Sequence, residues 1–568
     1  MDKQEQSLHV FASRGSLGLY MLIDRRDLDQ SMPFLQLTLQ EANMAVAKSL
    51  SPALIFTAIS CCYAFFTPSH ASPDDFRQCL TASGVPCPLV YEQSSPSFTP
   101  LLLSSIMNQR FAANTTVRPR WIIAPTNASH VQAAVVCGRR HGVRIRVRSG
   151  GHDYEGLSYS SRRPESFAVV DLSSLRAIHV DRQNSTAWVE SGATLGELYY
   201  AVAQASGNQL AFPAGLCPTI GVGGHLSGGG FGTLLRKHGL AADNVLDAVL
   251  VDASGRVLDR DAMGEDVFWA IRGGGGESFG VVLSWQVRLV PVPPTVTAFR
   301  IPVTVDDGAI DAVTRWQEVA PALPDDLFVR VLLQNQTATF EALFLGTCDA
   351  LLPVMRCRFR ELGMRMNRTD CQEMTWIQSV PYFGMGAGAT VEDILNRTAA
   401  TKAYTKMTSD YVRQAIHRET WESIFSGWLA KPEAGIMILD PYGAAIAGVP
   451  EAATPFPHRA GVLYNIQYVN LWFVAGGGAA QMRWVRDLYA FMEPYVTSSP
   501  REAYFNYRDL DLGENVVAGN VSSYEGGKVW GEKYFRDNYR RLAAAKDTID
   551  PEDYFRNEQS IPPLGASK

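Results

Sequence analysis

Three runs of glycine carry the first chemical signal in this chain: Arg148-Ser149-Gly150-Gly151-His152, the stretch from Gly221 to Gly232, and Arg272 to Gly276. Glycine leaves backbone N–H groups unobstructed, and successive N–H groups make a nest for an anion. The runs predict a cradle for a pyrophosphate, with Arg148, Ser149, Gly150 and Gly151 in the first run. The second contributes Gly223, Gly224, His225, Gly228, Gly229 and Gly230. None meets the G-x-G-x-x-G dinucleotide fingerprint, because Leu226 stands where its last glycine belongs, and no G-K-[ST] phosphate loop is present. The ten histidines and nine cysteines show neither H-E-x-x-H nor paired Cys-x-x-Cys spacing, so no metal site is expected. The run around Gly228 also lacks a G-x-S-x-G elbow, which argues against a serine hydrolase.

Short strands and helices must position these runs. Val143, Ile145 and Val147 alternate with Arg144, Arg146 and Arg148, the period of a strand with one buried face. Phe167 to Leu172, Leu246 to Asp252 and Val257-Leu258 read as further strands, and Thr194 with Glu197 as a capping box for a helix through Ala205. Val290-Pro-Val-Pro-Pro294 marks a domain boundary. Beyond it, Phe328 to Leu333 and Thr339 to Leu345 alternate, and helices are expected around Trp421 and over Met482 to Met492. Together these suggest a second, antiparallel sheet with helices packed on it.

At 568 residues, 46% hydrophobic and 19% charged, the chain has ordinary globular composition and room for more than one core. A net charge of -6 without a long basic run argues against nucleic acid as a partner. Near the N-terminus, Met44 and Lys48 precede an apolar run from Leu54 to Phe66, with Ser69 and Ala71 at cleavage-compatible positions. Residues 44–71 therefore read as a signal peptide and 1–43 as an upstream extension; a buried helix at a domain edge is the alternative. Secretion to the apoplast or cell wall, with no membrane anchor after processing, follows from the first reading. Removing Cys61 and Cys62 leaves seven cysteines, an odd number, so one must be free, intermolecular or otherwise consumed. Seven N-x-[ST] sequons, at Asn114, Asn127, Asn184, Asn335, Asn367, Asn396 and Asn520, are consistent with a glycoprotein.

Longer strings then become informative: RSGGHDYEGLSY from Arg148, CPTIGVGGHLSGGGFGTLLRKHGLAADNVLDAVLVD from Cys217, FWAIRGGGGESFGVV from Phe268, AYFNYRDLDLG from Ala503 and DYFRNEQSIPPL from Asp553. They resemble the berberine bridge enzyme-like family of plants over the chain from about Phe76 onward. The resemblance implies a vanillyl-alcohol-oxidase type FAD fold with the flavin bonded twice, through His152 to its 8α methyl carbon and through Cys217 to carbon 6. The second bond would account for the odd cysteine. It further implies a Cys79–Cys137 disulfide and leaves Cys87, Cys348, Cys357 and Cys371 unassigned.

By the same resemblance, substrate-facing groups come from Tyr154, the pair Tyr504 and Tyr507, and Gln467. Tyr507 is expected to be the base, with Tyr154 and Gln467 orienting the substrate. A phenol titrates near 10 and needs a neighbour that stabilises phenolate before it can act as a base. Asn465 stands where the family often places a supporting lysine and Phe231 where it often has tyrosine, so activation of Tyr507 is unexplained. Ile220, three residues after Cys217, occupies the family's oxygen-gating position, where valine goes with fast reoxidation and leucine with slow; isoleucine is neither.

The expected fold class is α+β, with two domains. An FAD domain (PCMH-type) spans about 74–297 and is rejoined by 515–568, and a substrate domain covers 298–514. The expected activity is oxidation of a hydroxyl group, on a sugar or an aromatic alcohol, by hydride transfer to flavin N5. O2 or another acceptor then takes the electrons. The rival reading is a flavinylated secreted protein of little turnover that acts as a binding or defence-associated surface.

Overall fold

The structure is a computed structural model that describes residues 73–567, apart from 114, 364, 387 and 399–401. A separate antiparallel ribbon joins Ser13–Arg14 to Leu19–Tyr20. The signal-peptide reading of 44–71 lies outside the described residues, as does most of the proposed extension. The fold is α+β, built on three principal sheets.

The first sheet runs Val90–Glu92, Trp121–Ile123, Phe167–Asp171, Arg144–Arg148. Its last three strands are parallel, and the helix Ala128–Arg140 makes the crossover. Asn127 starts that helix by accepting the His130 N–H at 3.1 Å, a side-chain cap of the kind that satisfies an orphan donor. The alternation over 143–148 misleads here, since Arg146 and Arg148 are buried along with Ile145. Each guanidinium is paired inside the protein. Arg148 bonds Asp171 through Nε at 2.9 Å, and Arg146 bonds Glu165 at 2.7 Å and Glu558, 412 residues later, at 3.1 Å. Burial of a charge is tolerable only with such partners.

The second sheet is antiparallel, in the order Val257–Leu258, Val245–Val251, Val281–Arg288, Thr186–Glu190, Ile178–Asp181. The helix Leu195–Ser206 packs on it, opened by the Thr194/Glu197 capping box and closed by Gly207 at φ 61°. Helices Tyr524–Phe535 and Asn538–Ile549 complete the same core from the far end of the sequence, around the fully buried Trp269, Trp285 and Trp530. Burying one such ring stabilises the fold by about 3 kcal/mol.

The third sheet has seven antiparallel strands: Gln372–Met374, Val296–Thr304, Thr337–Phe344, Leu327–Gln334, Ile436–Pro441, Tyr464–Trp472, Tyr404–Val412. One face packs on helices Ala309–Val319 and Ala479–Met492, which is why Tyr464, Ile466 and Tyr468 join Trp316 and Trp484 in one core. The alternate residues therefore face the other way, toward a cavity.

Two disulfides form among the described residues. Cys79–Cys137 ties helix Pro73–Ala82 to helix Ala128–Arg140, and Cys348–Cys371 closes a separation of 23 residues. Among the described residues three thiols are free, Cys87, Cys217 and Cys357, so more than one cysteine is left unpaired there. The six described sequon asparagines are all exposed.

Candidate active site

A cavity of about 590 Å³ runs between the glycine runs and the open face of the seven-stranded sheet. Its size suits a cofactor or substrate of moderate length. The first glycine run forms one wall because no side chain fits there. A Cβ on Gly150 would stand 2.3 Å from Gly221 N, and one on Gly151, at φ +71°, would stand 2.1 Å from Ser105 O. Among the described residues, no main-chain acceptor meets the N–H groups of Gly150, Gly151 or His152. Three unengaged donors on a cavity wall fit a pyrophosphate.

Ser149, Gly150, Gly151, Gly223, Gly224 and His225 line this cavity, whereas Arg148 does not. Its guanidinium turns into the core, where Asp171 and the carbonyls of Leu101 and Leu102 consume it. Gly228, Gly229 and Gly230 also stand behind the wall. They lie against Asn506, Phe456 and His225, respectively, and leave room for those side chains.

His152 and Cys217 both open onto the cavity. The His152 ring meets Thr219 Oγ1 through Nε2 at 3.0 Å, and burial pulls its pKa down to about 4, so the ring is neutral near pH 7. The Cys217 side chain is accessible through the cavity yet enclosed by protein, and that enclosure pushes its thiol up while Arg330 pulls it down. His225 accepts the Gly215 N–H at 3.0 Å through Nε2, and burial, then His152, lowers it to about 4.

The tyrosines meet at the other end. Tyr154 and Tyr507 stack with centroids 5.8 Å apart and an interplanar angle of 11°, and Tyr504 stands edge-on to Tyr507 at 4.9 Å. Gln467 Nε2 donates to the Tyr154 hydroxyl at 2.7 Å. The Tyr504 hydroxyl instead accepts from Gly230 N–H at 2.8 Å and Asn506 Nδ2 at 2.9 Å, tying the tyrosine segment to the second glycine run. Phe231 packs against Tyr504 and Tyr507 at 5.2 and 6.1 Å.

Burial and then the charge of Asp440 push the Tyr507 phenol well above its ordinary value. A phenolate at that position is therefore costly. Three carboxylates line the cavity: Asp153, Glu277 and Asp440. Arg508 lies 3.6 Å from Asp153 and 2.6 Å from Glu277. Asp440 makes no side-chain hydrogen bond among the described residues, and burial raises it to about 6 against the pull of Arg330. Arg330 is fixed in turn by Glu341 at 2.5 Å, which also holds Arg300 at 2.5 Å. Asn465 is buried with Nδ2 on Asp410 O at 3.0 Å and its Oδ1 without a partner.

Asp440, Arg330, Arg508 and Thr219 are cavity or near-cavity residues absent from the sequence reading. Thr219 and Arg508 fall inside the CPT and AYFNYRDLDLG strings, so a signal for them existed. Asp440 and Arg330 lie on strands with no motif at all. A G-x-S-x-G spacing does occur at Gly276 to Gly280, but Ser278 is buried and its hydroxyl accepts the Ile561 N–H at 3.1 Å. It offers no nucleophile.

Two family descriptions match the chain: an FAD binding domain over residues 119–260, and "berberine and berberine like" over 503–562. Berberine bridge enzyme-like Cyn d 4 of Cynodon dactylon is 60% identical over 526 residues, 92% of this chain and 100% of that protein. The crystal structure of Phl p 4, described as a grass pollen allergen with glucose dehydrogenase activity, superposes with a TM-score of 0.85 at 58% identity. It covers 86% of this chain and 100% of its own. A Phl p 4 variant with isoleucine replaced by valine, described as a glucose oxidase, matches with the same TM-score of 0.85 at 58% identity, over 86% of this chain and 99% of its own.

Proposed function

This chain belongs to the berberine bridge enzyme-like family of FAD-dependent oxidoreductases, and from that premise we propose that it oxidises a hydroxyl group of a glucose-like sugar. The observation that carries the reading is the polar end of the cavity, where Tyr154, Gln467, Tyr507 and Asp440 surround the space next to His152 and Cys217. Several hydrogen-bonding groups and one unengaged carboxylate suit a polyhydroxylated ligand better than an apolar one. The glucose dehydrogenase activity ascribed to Phl p 4 supports the same choice.

FAD would be held by the free N–H groups of Gly150 and Gly151 and by two covalent bonds, at His152 and Cys217, and it supplies a ring that accepts hydride. With Nε2 engaged by Thr219, Nδ1 is the His152 nitrogen left to bond carbon. Tyr154, aligned by Gln467, orients the reacting hydroxyl. Asp440, ionised above about pH 6, would take the proton from the substrate's hydroxyl oxygen, and the carbon bearing that oxygen would become a carbonyl on losing hydride. Tyr507, its phenol raised by burial and by Asp440, would stay protonated with its hydroxyl free to donate to substrate, so we assign the base role expected of it to Asp440. An acceptor other than O2 is proposed, supported by Phl p 4, described as a glucose dehydrogenase whose isoleucine-to-valine variant is described as a glucose oxidase. Secretion and glycosylation are proposed with this activity, supported by two disulfides and the exposed sequons.

Anaerobic mixing of the purified holoprotein with D-glucose tests the reading. Bleaching of the flavin absorbance is the expected result, and an unchanged spectrum across glucose, cello-oligosaccharides and cinnamyl alcohols overturns it. Mass spectrometry of tryptic peptides containing His152 and Cys217 tests the two attachments separately.

A further inference from the structure

Behind the cavity wall, Lys406 lies buried among carboxylates from two distant segments. Its neighbours in the strand, Thr405 and Met407, face the cavity, so the Lys406 side chain projects to the opposite side. Its Nζ is 2.9 Å from Glu155 Oε1, 2.5 Å from Asp509 Oδ1 and 3.1 Å from Asp511 Oδ2. The side chains of Lys406, Glu155 and Asp509 are 2%, 3% and 4% exposed. Arg110, 3.9 Å from Glu155, and Arg486, 2.7 Å from Asp511, bring the cations to three against three carboxylates.

A buried ionic cluster is a poor source of stability, because desolvation offsets most of its attraction and apolar replacements often fold as well. What it provides is a fixed geometry. An ammonium carries three tetrahedrally disposed donors; here it donates to Glu155 and Asp509, and Asp511 stands 3.1 Å away as a third ion-pair partner. Glu155 directly follows Tyr154, and Asp509 lies two residues after Tyr507. The stacked rings thus stand on one side of a wall whose two segments are joined on the other side by one lysine. Tyr154 has further ties, since Asn108 Nδ2 donates to its carbonyl at 2.8 Å and Gln467 to its hydroxyl. The Tyr507 hydroxyl has no hydrogen-bond partner among the described residues, so its ring is held by packing on Tyr154, Tyr504 and Phe231 and by the ties of its segment, Arg508 to Asp153 at 3.6 Å and this clamp.

We propose that Lys406 is a positioning residue, which sets the spacing of Tyr154 and Tyr507 by holding Glu155 and Asp509 on one ammonium. The proposal rests on the reading of those tyrosines as substrate-facing. Two variants of the full holoprotein test it: Lys406→Met, and the triple variant Lys406→Met, Glu155→Gln, Asp509→Asn, which leaves no unpaired buried charge at Lys406. In crystal structures of both, the Tyr154 and Tyr507 centroids are expected to separate by more than about 1 Å, a displacement large enough to cost about 30-fold or more in rate. Stopped-flow reduction by D-glucose is expected to show that loss in kcat, with KM changed less than about threefold. A triple variant that keeps the ring stack and the wild-type rate overturns the proposal, and so does one that cannot fold, since the cluster is then structural only. If wild-type protein is not reduced by glucose, the substrate reading fails while ring spacing still decides the role of Lys406.

Discussion

Asp440 and Asn465 stand directly opposite each other on adjacent antiparallel strands, Ile436–Pro441 and Tyr464–Trp472. Residues so paired have Cβ atoms about 5 Å apart. Where the family resemblance leads one to expect a lysine, this chain thus has an amide, with a carboxylate facing it. This pairing is the setting of the proposed exchange of a cation-assisted phenol for an acid as proton acceptor.

Replacing Asp440 should separate activity from stability. Because its pKa is raised to about 6, wild-type flavin reduction should climb as pH rises through about 6 and level off above it. Asp440→Asn should flatten that limb and slow reduction by about 100-fold or more. The fold holds the Asp440 proton more tightly than the unfolded chain does, so stability falls progressively from about pH 4 to about pH 6 and the loss stays constant above that. The variant is therefore expected to melt at or above the wild-type temperature near pH 7. A large drop in both rate and melting temperature would contradict this assignment.

The bond from Gln467 to the Tyr154 hydroxyl should behave as a unit. Gln467→Ala and Tyr154→Phe are each expected to lower kcat/KM about 10-fold. The double variant should lose about 1 kcal/mol less than the sum of the two. Strict additivity in the double-mutant cycle would show that the hydrogen bond does not orient substrate.

Ile220 lies on the cavity wall three residues beyond Cys217, and its N–H bonds the Cys217 carbonyl at 3.3 Å. Ile220→Val removes one methylene, at a stability cost of about 1 kcal/mol. Reoxidation of the reduced holoprotein in air should accelerate at least about 10-fold while flavin reduction is unaffected, a change of about 1.4 kcal/mol in one barrier only. Recolouring followed by absorbance after photoreduction measures it, and an unchanged rate removes Ile220 from the gate.

The Cys348–Cys371 bridge closes 23 residues outside the cavity. Chain-entropy arguments give such a loop about 3 kcal/mol of stabilisation. Changing both cysteines to serine should lower the melting temperature by several degrees and leave flavin content and KM intact. Loss of bound flavin would tie the bridge to the site.

Much of the site was legible because it is local in sequence. The glycine runs, His152 and Cys217 announce themselves in contiguous strings, since a backbone that must approach a ligand tolerates few residues. Side chains supplied by pairing are harder to see. Asp440 faces the cavity only because its strand pairs with one 25 residues later, and nothing near it marks the acid. Lys406 is equally silent, its carboxylates lying 251 and 103 residues away. Arg146 and Arg148 fooled a periodicity argument that counts charge as outward-facing. In this sheet each has a buried carboxylate, and a pattern of residue types cannot register a partner elsewhere in the chain.

The Arg146 guanidinium has a consequence for how the protein is made. One of its two carboxylate partners, Glu558, emerges from the ribosome 412 residues later, and the same glutamate receives the Arg162 N–H at 2.7 Å. Until then the strand leading into the first glycine run carries a half-compensated charge in what must become an interior. The strand that leads into the first glycine run therefore reaches its native charge balance only once residue 558 has been added.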